Sequence, residues 1–423
     1  MRALYSLLWW CAQPLLPLRL WWRGRREPGY REAIGERFGR YAGARPAGDI
    51  VWIHAVSAGE TRAAAPLVER ILRERPQARI LLTAMTATGR EAGRALFGER
   101  VIRAWLPYDV PSAVARFVAH FAPVAGIVME TEVWPNLLRE CARRGVPVYL
   151  VNARLSPRSA AGYARLGTLA RQAFAGFAGV AAQTPDDAAR LAALGARDPQ
   201  VFGNLKFDID VAAPLQALAA DFRARFGAGR RVLVVASTRD GEEALVVDAL
   251  CAAPLPGDAL TVIVPRHPQR FDDVAALLMA RGIAFRRRSD GGDVVPSDVA
   301  FVLGDSMGEM AAYYGAADVA FVGGSLLPFG GQNLIEPIAQ GVPTLVGPHT
   351  FNFAEVAAQA VAAGAALRVA DANALAAETA ALLGDDARRA TMRERALAFH
   401  AAHRGATERT WRWLAAALGR PPR

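Results

Sequence analysis

The feature that most constrains this chain is a rhythm of short apolar runs separated by amphipathic stretches, played through twice. Strands are expected at 50–54, 80–84, 124–129, 148–151, 179–183 and 200–202. After Lys206 the series restarts at 231–236, 260–265, 299–304, 318–322 and 344–346. Helical patterns such as 61–75 and 242–252 lie between them. Strand, helix, strand at this spacing implies parallel sheets covered on both faces, because a parallel crossover needs a helix and lays it on the sheet. The expectation is two Rossmann-like, doubly wound α/β domains, 31–208 and 209–423, behind a segment 1–30 of different character. A chain of 423 residues also suits two cores better than one. The last helical stretch, 385–418, follows the second sheet and is able to cross back to brace the first domain. Ligands bind beyond the carboxyl ends of parallel strands, so two such domains are expected to face each other across a ligand cleft.

Charge narrows the partners. A net charge of +10 and a pI near 10.2 call for a polyanion: nucleic acid, anionic lipid or a phosphorylated substrate. Nucleic acid is set aside, because the chain has no zinc-finger spacing, no basic region followed by heptads and no aromatic RNA-binding signature. The densest basic runs are 19–26 and Arg286-Arg287-Arg288, the latter read as a connector. Cys11, Cys141 and Cys251 are dispersed, with no paired spacing for metal or disulfide, which favours a reducing, cytoplasmic setting.

Residues 3–22 carry Trp9, Trp10, Trp21 and Trp22 and a single charge, Arg19. Gln13, Pro14 and Pro17 interrupt the apolar stretch, which is shorter than a straight span prefers. No small-residue cleavage site follows it. Tryptophan prefers the headgroup level, and Arg19, Arg23, Arg25 and Arg26 attract anionic lipids. The segment is expected to be a membrane-associated helix, lying on the membrane or forming a short single-pass anchor, with the bulk of the chain cytoplasmic. The alternative is a helix buried against the domain.

Three loops share one spacing. Ser57-Ala58-Gly59-Glu60 follows the first strand, Ser306-Met307-Gly308-Glu309 follows the strand ending near Gly304, and Asn333-Leu334-Ile335-Glu336 follows Gly323-Gly324-Ser325 and Gly330-Gly331. Each puts a capping residue three positions ahead of a glutamate, the capping-box spacing. Such glutamates satisfy helix-end amides, but helix N-termini with small residues also bind anions. The two later loops are read as a phosphate or nucleotide site, although neither is a Walker sequence. Glu60 is open to two readings, helix cap or general base.

Two carboxylates close a strand in Met129-Glu130-Thr131-Glu132-Val133-Trp134-Pro135-Asn136. Glu132 suits a helix first turn. Glu130 ends an apolar run and requires a partner; Arg154, Lys206 and a bound substrate are the candidates. Lys206 is the single lysine among 50 lysines and arginines. A compact ammonium suits a tight place beside a phosphate or carboxylate where the planar arginine fork does not fit. In Pro265-Arg266-His267-Pro268 the arginine suits a phosphate, while His267 either contacts a base or ribose or caps the loop. Asp208-Ile209-Asp210 matches the Asp-x-Asp pattern of metal-dependent sugar transferases, but it sits in a linker and is not read as a metal site.

Together these segments, with Gly203-Asn204-Leu205-Lys206-Phe207-Asp208, Phe321-Val322-Gly323-Gly324-Ser325 and Gly347-Pro348-His349-Thr350-Phe351-Asn352-Phe353, resemble the 3-deoxy-D-manno-oct-2-ulosonic acid (Kdo) transferases that act on lipid A precursors. The resemblance runs from the Trp-rich N-terminus almost to the end of the chain. It implies a GT-B architecture, CMP-Kdo as donor, a lipid A precursor as acceptor, and a place at the cytoplasmic face of the bacterial inner membrane among its lipids. It implies that Glu60 is the general base and that Glu130 and Lys206 stabilise the transition state. It assigns CMP-Kdo binding to Arg266 and His267, to Met307, Gly308 and Glu309, and to Asn333, Leu334, Ile335 and Glu336. No cofactor and no metal are expected, since a leaving group with one phosphate has less need of a bridging ion than a diphosphate. Leu326-Leu327-Pro328-Phe329 has no assignment. The rival readings are another GT-B lipid-linked sugar transferase or a nucleotide-sugar epimerase, and a non-enzymatic membrane-bound nucleotide sensor.

Overall fold

The computed structural model describes residues 1–418 apart from 26, 254 and 293. It divides into two compact units: Met1–Ile209 with Arg404–Arg423, and Asp210–His403.

The first unit is built on β1 Ile50–His54, β2 Arg79–Ala84, β3 Val101–Trp105, β4 Ala125–Met129, β5 Val148–Ala153, β6 Gly179–Ala182 and β7 Gln200–Val201. They form one seven-stranded sheet in the order β3-β2-β1-β4-β5-β6-β7, and every neighbouring pair is parallel. Alternate residues of β1 enter opposite cores: Ile50 and Trp52 pack on one face, Val51 and Ile53 on the other. Fully burying such a side chain contributes about 1.5–3 kcal/mol. Helices begin where the sequence supplies caps; Ser57 caps Ala58–Glu74 and Thr86 caps Ala87–Phe97.

The second unit repeats the plan with β8 Val232–Thr238, β9 Leu260–Pro265, β10 Phe285–Arg287, β11 Phe301–Leu303, β12 Val319–Val322, β13 Thr344–Val346 and β14 Ala366–Arg368. Its order is β10-β11-β9-β8-β12-β13-β14, again parallel throughout. Leu233 and Val235 enter one core, Val232, Val234 and Ala236 the other.

Three strands escape the periodicity, β3, β10 and β14, and all three are sheet edges. Each carries arginine: Arg103, Arg286 with Arg287, and Arg368. Charge on an edge strand blunts further pairing and at the same time erases the apolar signal. The connector expected at 286–288 is thus mostly strand, with Arg287 paired to Asp272 and Asp305 and Arg288 to Glu309.

The helix expected at 61–75 starts earlier, at Ala58. The stretch 385–418 is two helices, Asp386–His403 and Ala406–Leu418, broken at Gly405 with φ 91°. The break has a chemical lock: the Asp208 carboxylate accepts from Gly405 N–H at 2.7 Å and Thr407 N–H at 2.5 Å. The second unit therefore ends at His403 rather than 423, and Ala406–Leu418 packs through Trp411 and Leu414 into the first unit's core.

At the N-terminus, Arg2–Ala12 and Leu16–Arg23 are helices joined by a 3₁₀ turn, Gln13–Leu15. Among the described residues no helix is long and apolar enough to cross a membrane. One face docks on the first unit through Leu16 and Leu20, beside Tyr30, Val110 and Ala113. Trp9 packs on Tyr108 with ring centres 5.8 Å apart. Leu4, Leu7, Leu8, Trp10, Leu15, Leu18, Trp21 and Trp22 point outward and are exposed. Arg26, expected to join the basic flank, lies outside the described residues.

Candidate active site

In the first sheet the strand order reverses between β1 and β4, the kind of crevice where open parallel sheets take ligands. A carboxylate follows the carboxyl end of each of those strands. Glu60 stands in the first turn of Ala58–Glu74. Its Oε1 accepts from Ser57 Oγ at 3.0 Å, and its Oε2 accepts from Val56 N–H at 2.9 Å. The reciprocal cap is present, since Ser57 Oγ accepts from Glu60 N–H. Burial pushes the Glu60 carboxyl up to about 7, and the nearby Glu130 charge adds to the rise against the opposing Val56 N–H. A side chain so placed exchanges a proton near neutral pH while still capping a helix.

Glu130 takes φ 56°, left-handed for a residue with a side chain. Such a backbone costs roughly 1–3 kcal/mol and persists only where its surroundings hold it. Here Glu130 N–H donates to Val151 O at 3.0 Å. The carboxylate is nearly buried and meets both expected cations: Lys206 Nζ at 2.9 Å and Arg154 Nε at 3.5 Å. Lys206 rides on a 3₁₀ turn, Leu205–Asp208. Asn152 Oδ1 accepts from Leu205 N–H and Asn204 Oδ1 from Lys206 N–H, both at 3.0 Å. Asp208, at the end of that turn, is committed to the helix cap described above. Burial raises the Glu132 carboxyl as well.

His54 takes no part at the surface of this site. It is fully buried, with Nδ1 2.9 Å from Thr83 Oγ1, and burial holds it far down, at about 3.

The second sheet has its own centre at β8, flanked by β9 and β12. Glu242 organises the loops there. It is fully buried and its carboxylate accepts from Arg239 N–H at 2.9 Å, Gly324 N–H at 2.6 Å and Leu326 N–H at 2.9 Å. Gly323 must be glycine, since a Cβ there would meet Ala236 O and Thr238 Cα at 2.8 Å. Arg266 follows β9, with its N–H on Thr238 O at 3.0 Å. His267 is exposed beside it, its Nε2 3.1 Å from Arg239 Nη1.

The two later loops depart from the capping expectation. Ser306 caps nothing; its hydroxyl lies 2.8 Å from Tyr313 OH, and the helix Met310–Gly315 begins after Glu309. Glu309 is paired with Arg288 at 3.2 Å, Gly308 takes φ 82° and Met307 is exposed. Asn333 Oδ1 accepts from Ile335 N–H at 3.2 Å, and its Nδ2 donates to Glu336 Oε1 at 2.9 Å. Leu334 and Ile335 bury their side chains in the core. The unassigned run from Leu326 is tied in by Glu242, and Asn352 Nδ2 donates to Phe329 O at 3.0 Å. Arg239 and Glu242 are not singled out by the sequence; Glu242 opens the expected helix 242–252 and Arg239 lies three residues before it.

The chain is similar to known proteins over most of its length. The family model described as 3-deoxy-D-manno-octulosonic-acid transferase (kdotransferase) matches residues 32–209, and that for glycosyl transferases group 1 matches 295–399. A 3-deoxy-D-manno-octulosonic acid transferase of Bordetella pertussis is 48% identical over 426 residues, covering 97% of each chain. One of Haemophilus influenzae is 37% identical over 360 residues, covering 84% of each. Among solved structures, a UDP-GlcNAc 2-epimerase from Neisseria meningitidis shares the fold with a TM-score of 0.60 at 14% identity, covering 87% of this chain and 100% of that one. Two parallel-sheet Rossmann-like units of this kind are the GT-B fold, and likeness to the transferases above makes the protein a glycosyltransferase of that fold. Within that class, the chain belongs to the Kdo transferase family.

Proposed function

We propose that this enzyme moves Kdo from CMP-Kdo to a lipid A precursor, inverting the configuration at the transferred anomeric carbon, with Glu60 as general base. The observation that carries the reading is Glu60 itself: a carboxyl in the first turn of the helix that follows β1, near the Glu130–Lys206 pair and shifted to about 7. An acceptor hydroxyl oxygen attacks the anomeric carbon and its proton passes to Glu60. The bond from that carbon to the phosphate oxygen breaks, and CMP leaves with the electron pair. Lys206 and Glu130 act on the charge that develops, and preorganised groups of this kind stabilise it without reorganising. In the second unit, Arg266, His267, Met307, Gly308, Glu309, Asn333, Glu336 and the backbone of Leu334 and Ile335 hold the donor. The outward apolar face of the N-terminal helices, with Arg19, Arg23 and Arg25 along it, rests on the cytoplasmic face of the inner membrane, where such an acceptor is held.

The test is mass spectrometry of a tetraacylated lipid A precursor incubated with purified protein and CMP-Kdo. Mass gained in Kdo steps, and lost in Glu60→Gln, is the expected result. A folded, detergent-solubilised protein that adds nothing overturns the assignment of donor and acceptor.

A further inference from the structure

Arg239 follows β8 directly and stands between the ends of β9 and β12. Its backbone is fixed by Glu242, whose carboxylate also takes the Gly324 and Leu326 amides, so arginine and glycine turn move as one piece. The side chain is held too. Its guanidinium carbon lies 4.9 Å from the centre of the Phe329 ring, and Nη1 lies 3.1 Å from His267 Nε2.

What sets Arg239 apart is charge. Arg270, close by, is matched by Asp240, Glu243 and Asp273. Arg223, Arg287 and Arg288 likewise have carboxylates. Among the described residues Arg239 makes no ion pair; a ring nitrogen and an aromatic face are its side-chain neighbours. A rigid guanidinium with no counter-charge, at the carboxyl ends of parallel strands, is suited to an anion.

We infer that Arg239 is a donor-binding residue that holds an anionic group of the nucleotide sugar, with Glu242 and Phe329 positioning it. This rests on the donor reading above. The donor offers two such groups, the phosphate and the sugar carboxylate, and the test separates them. CMP is titrated calorimetrically into the wild type, Arg239→Met, which keeps the apolar contact with Phe329, and Arg239→Lys; initial rates give the KM for CMP-Kdo.

Loss of a charge-assisted hydrogen bond predicts a rise of roughly tenfold or more in Arg239→Met. A rise in both the CMP dissociation constant and the donor KM assigns the phosphate. A rise in the donor KM alone assigns the carboxylate. Both constants within about twofold of wild type in a folded Arg239→Met overturn the inference and leave the donor reading standing. A wild type that neither binds CMP nor turns over CMP-Kdo overturns the donor reading itself. Glu242→Gln gives an independent check: it keeps one acceptor oxygen but faces an amide N–H with its own, and is expected to raise the same constants as Arg239→Met.

Discussion

Lys206 Nζ donates to Glu130 Oε1 at 2.9 Å, joining residues 76 apart in the chain at a carboxylate that also meets Arg154. The pair is nearly buried, so its geometry is held by the 3₁₀ turn on one side and a left-handed backbone on the other. Arginine brings the same charge in a wider planar fork, which meets a single carboxylate oxygen in a different geometry. Lys206→Arg and Lys206→Met are both expected to lower kcat by about 10²–10³, the usual loss for one preorganised charge. Because Arg154 stays beside Glu130, the melting temperature should fall by much less than for a fully orphaned charge. An arginine variant that turns over at the wild-type rate would remove the case for a special lysine.

The proposed role of Glu60 as general base predicts a pH dependence. A base must be unprotonated to act, and burial followed by the Glu130 charge brings its carboxyl to about 7. Activity should therefore rise with pH along an acid limb centred near that value. Glu130→Gln removes the second cause and leaves the first, so the limb should move to lower pH while kcat falls. The measurement is kcat/KM against pH for both proteins; an acid limb that stays in place would show that Glu60 is not the titrating base.

Much of the fold and site is legible in the sequence, and each gap has a physical cause. The interior strands announced themselves because both faces are buried, as in β1, where every residue is buried. Edge strands β3, β10 and β14 are silent because each carries arginine, and β10 and β14 have only three residues apiece. Glu60, Glu130 and Lys206 stood out through local chemistry, and the Glu130 partners could be named from the need to neutralise a charge at the end of an apolar run. Glu242 could not: the amides of Gly324 and Leu326 that it accepts are 82 and 84 positions away, and no local spacing encodes them. Ser306 misled for the converse reason, since its capping-box spacing is local while its tyrosine partner is set by the fold.

The N-terminal helices make a prediction about surfaces. Leu4, Leu7, Leu8 and Leu18 are exposed and do not belong to the docked face that holds Leu16 and Leu20. Replacing Leu7, Leu8 and Leu18 by serine should leave the melting temperature nearly unchanged, as surface substitutions usually shift stability by about 0.5 kcal/mol or less. The same variant should lose flotation with vesicles containing anionic lipid. Unchanged flotation would mean that this face does not carry membrane binding.

Asp109 ties those helices to the loop that carries the paired glutamates. It is almost fully buried, and its carboxylate accepts from Tyr5 OH at 2.9 Å, Asn136 N–H at 2.9 Å and Leu137 N–H at 2.8 Å. Asn136 and Leu137 open the helix Pro135–Arg143, which follows Glu130 and Glu132 directly. Burial raises the Asp109 carboxyl from its ordinary 3.8 to about 6, against the pull of those donors. A folded-state value above the unfolded one contributes stability below pH 3.8 that is lost as pH rises through about 6. Asp109→Asn has no such titration but gives up one acceptor, a pH-independent cost of about 1–3 kcal/mol. The wild type should therefore melt above Asp109→Asn by its widest margin near pH 4, and the margin should narrow towards about pH 7. Comparing the two proteins cancels the parallel contribution of Glu60, which both retain. A margin that holds constant or widens with pH would show that Asp109 stays ionised throughout, its three donors outweighing its burial.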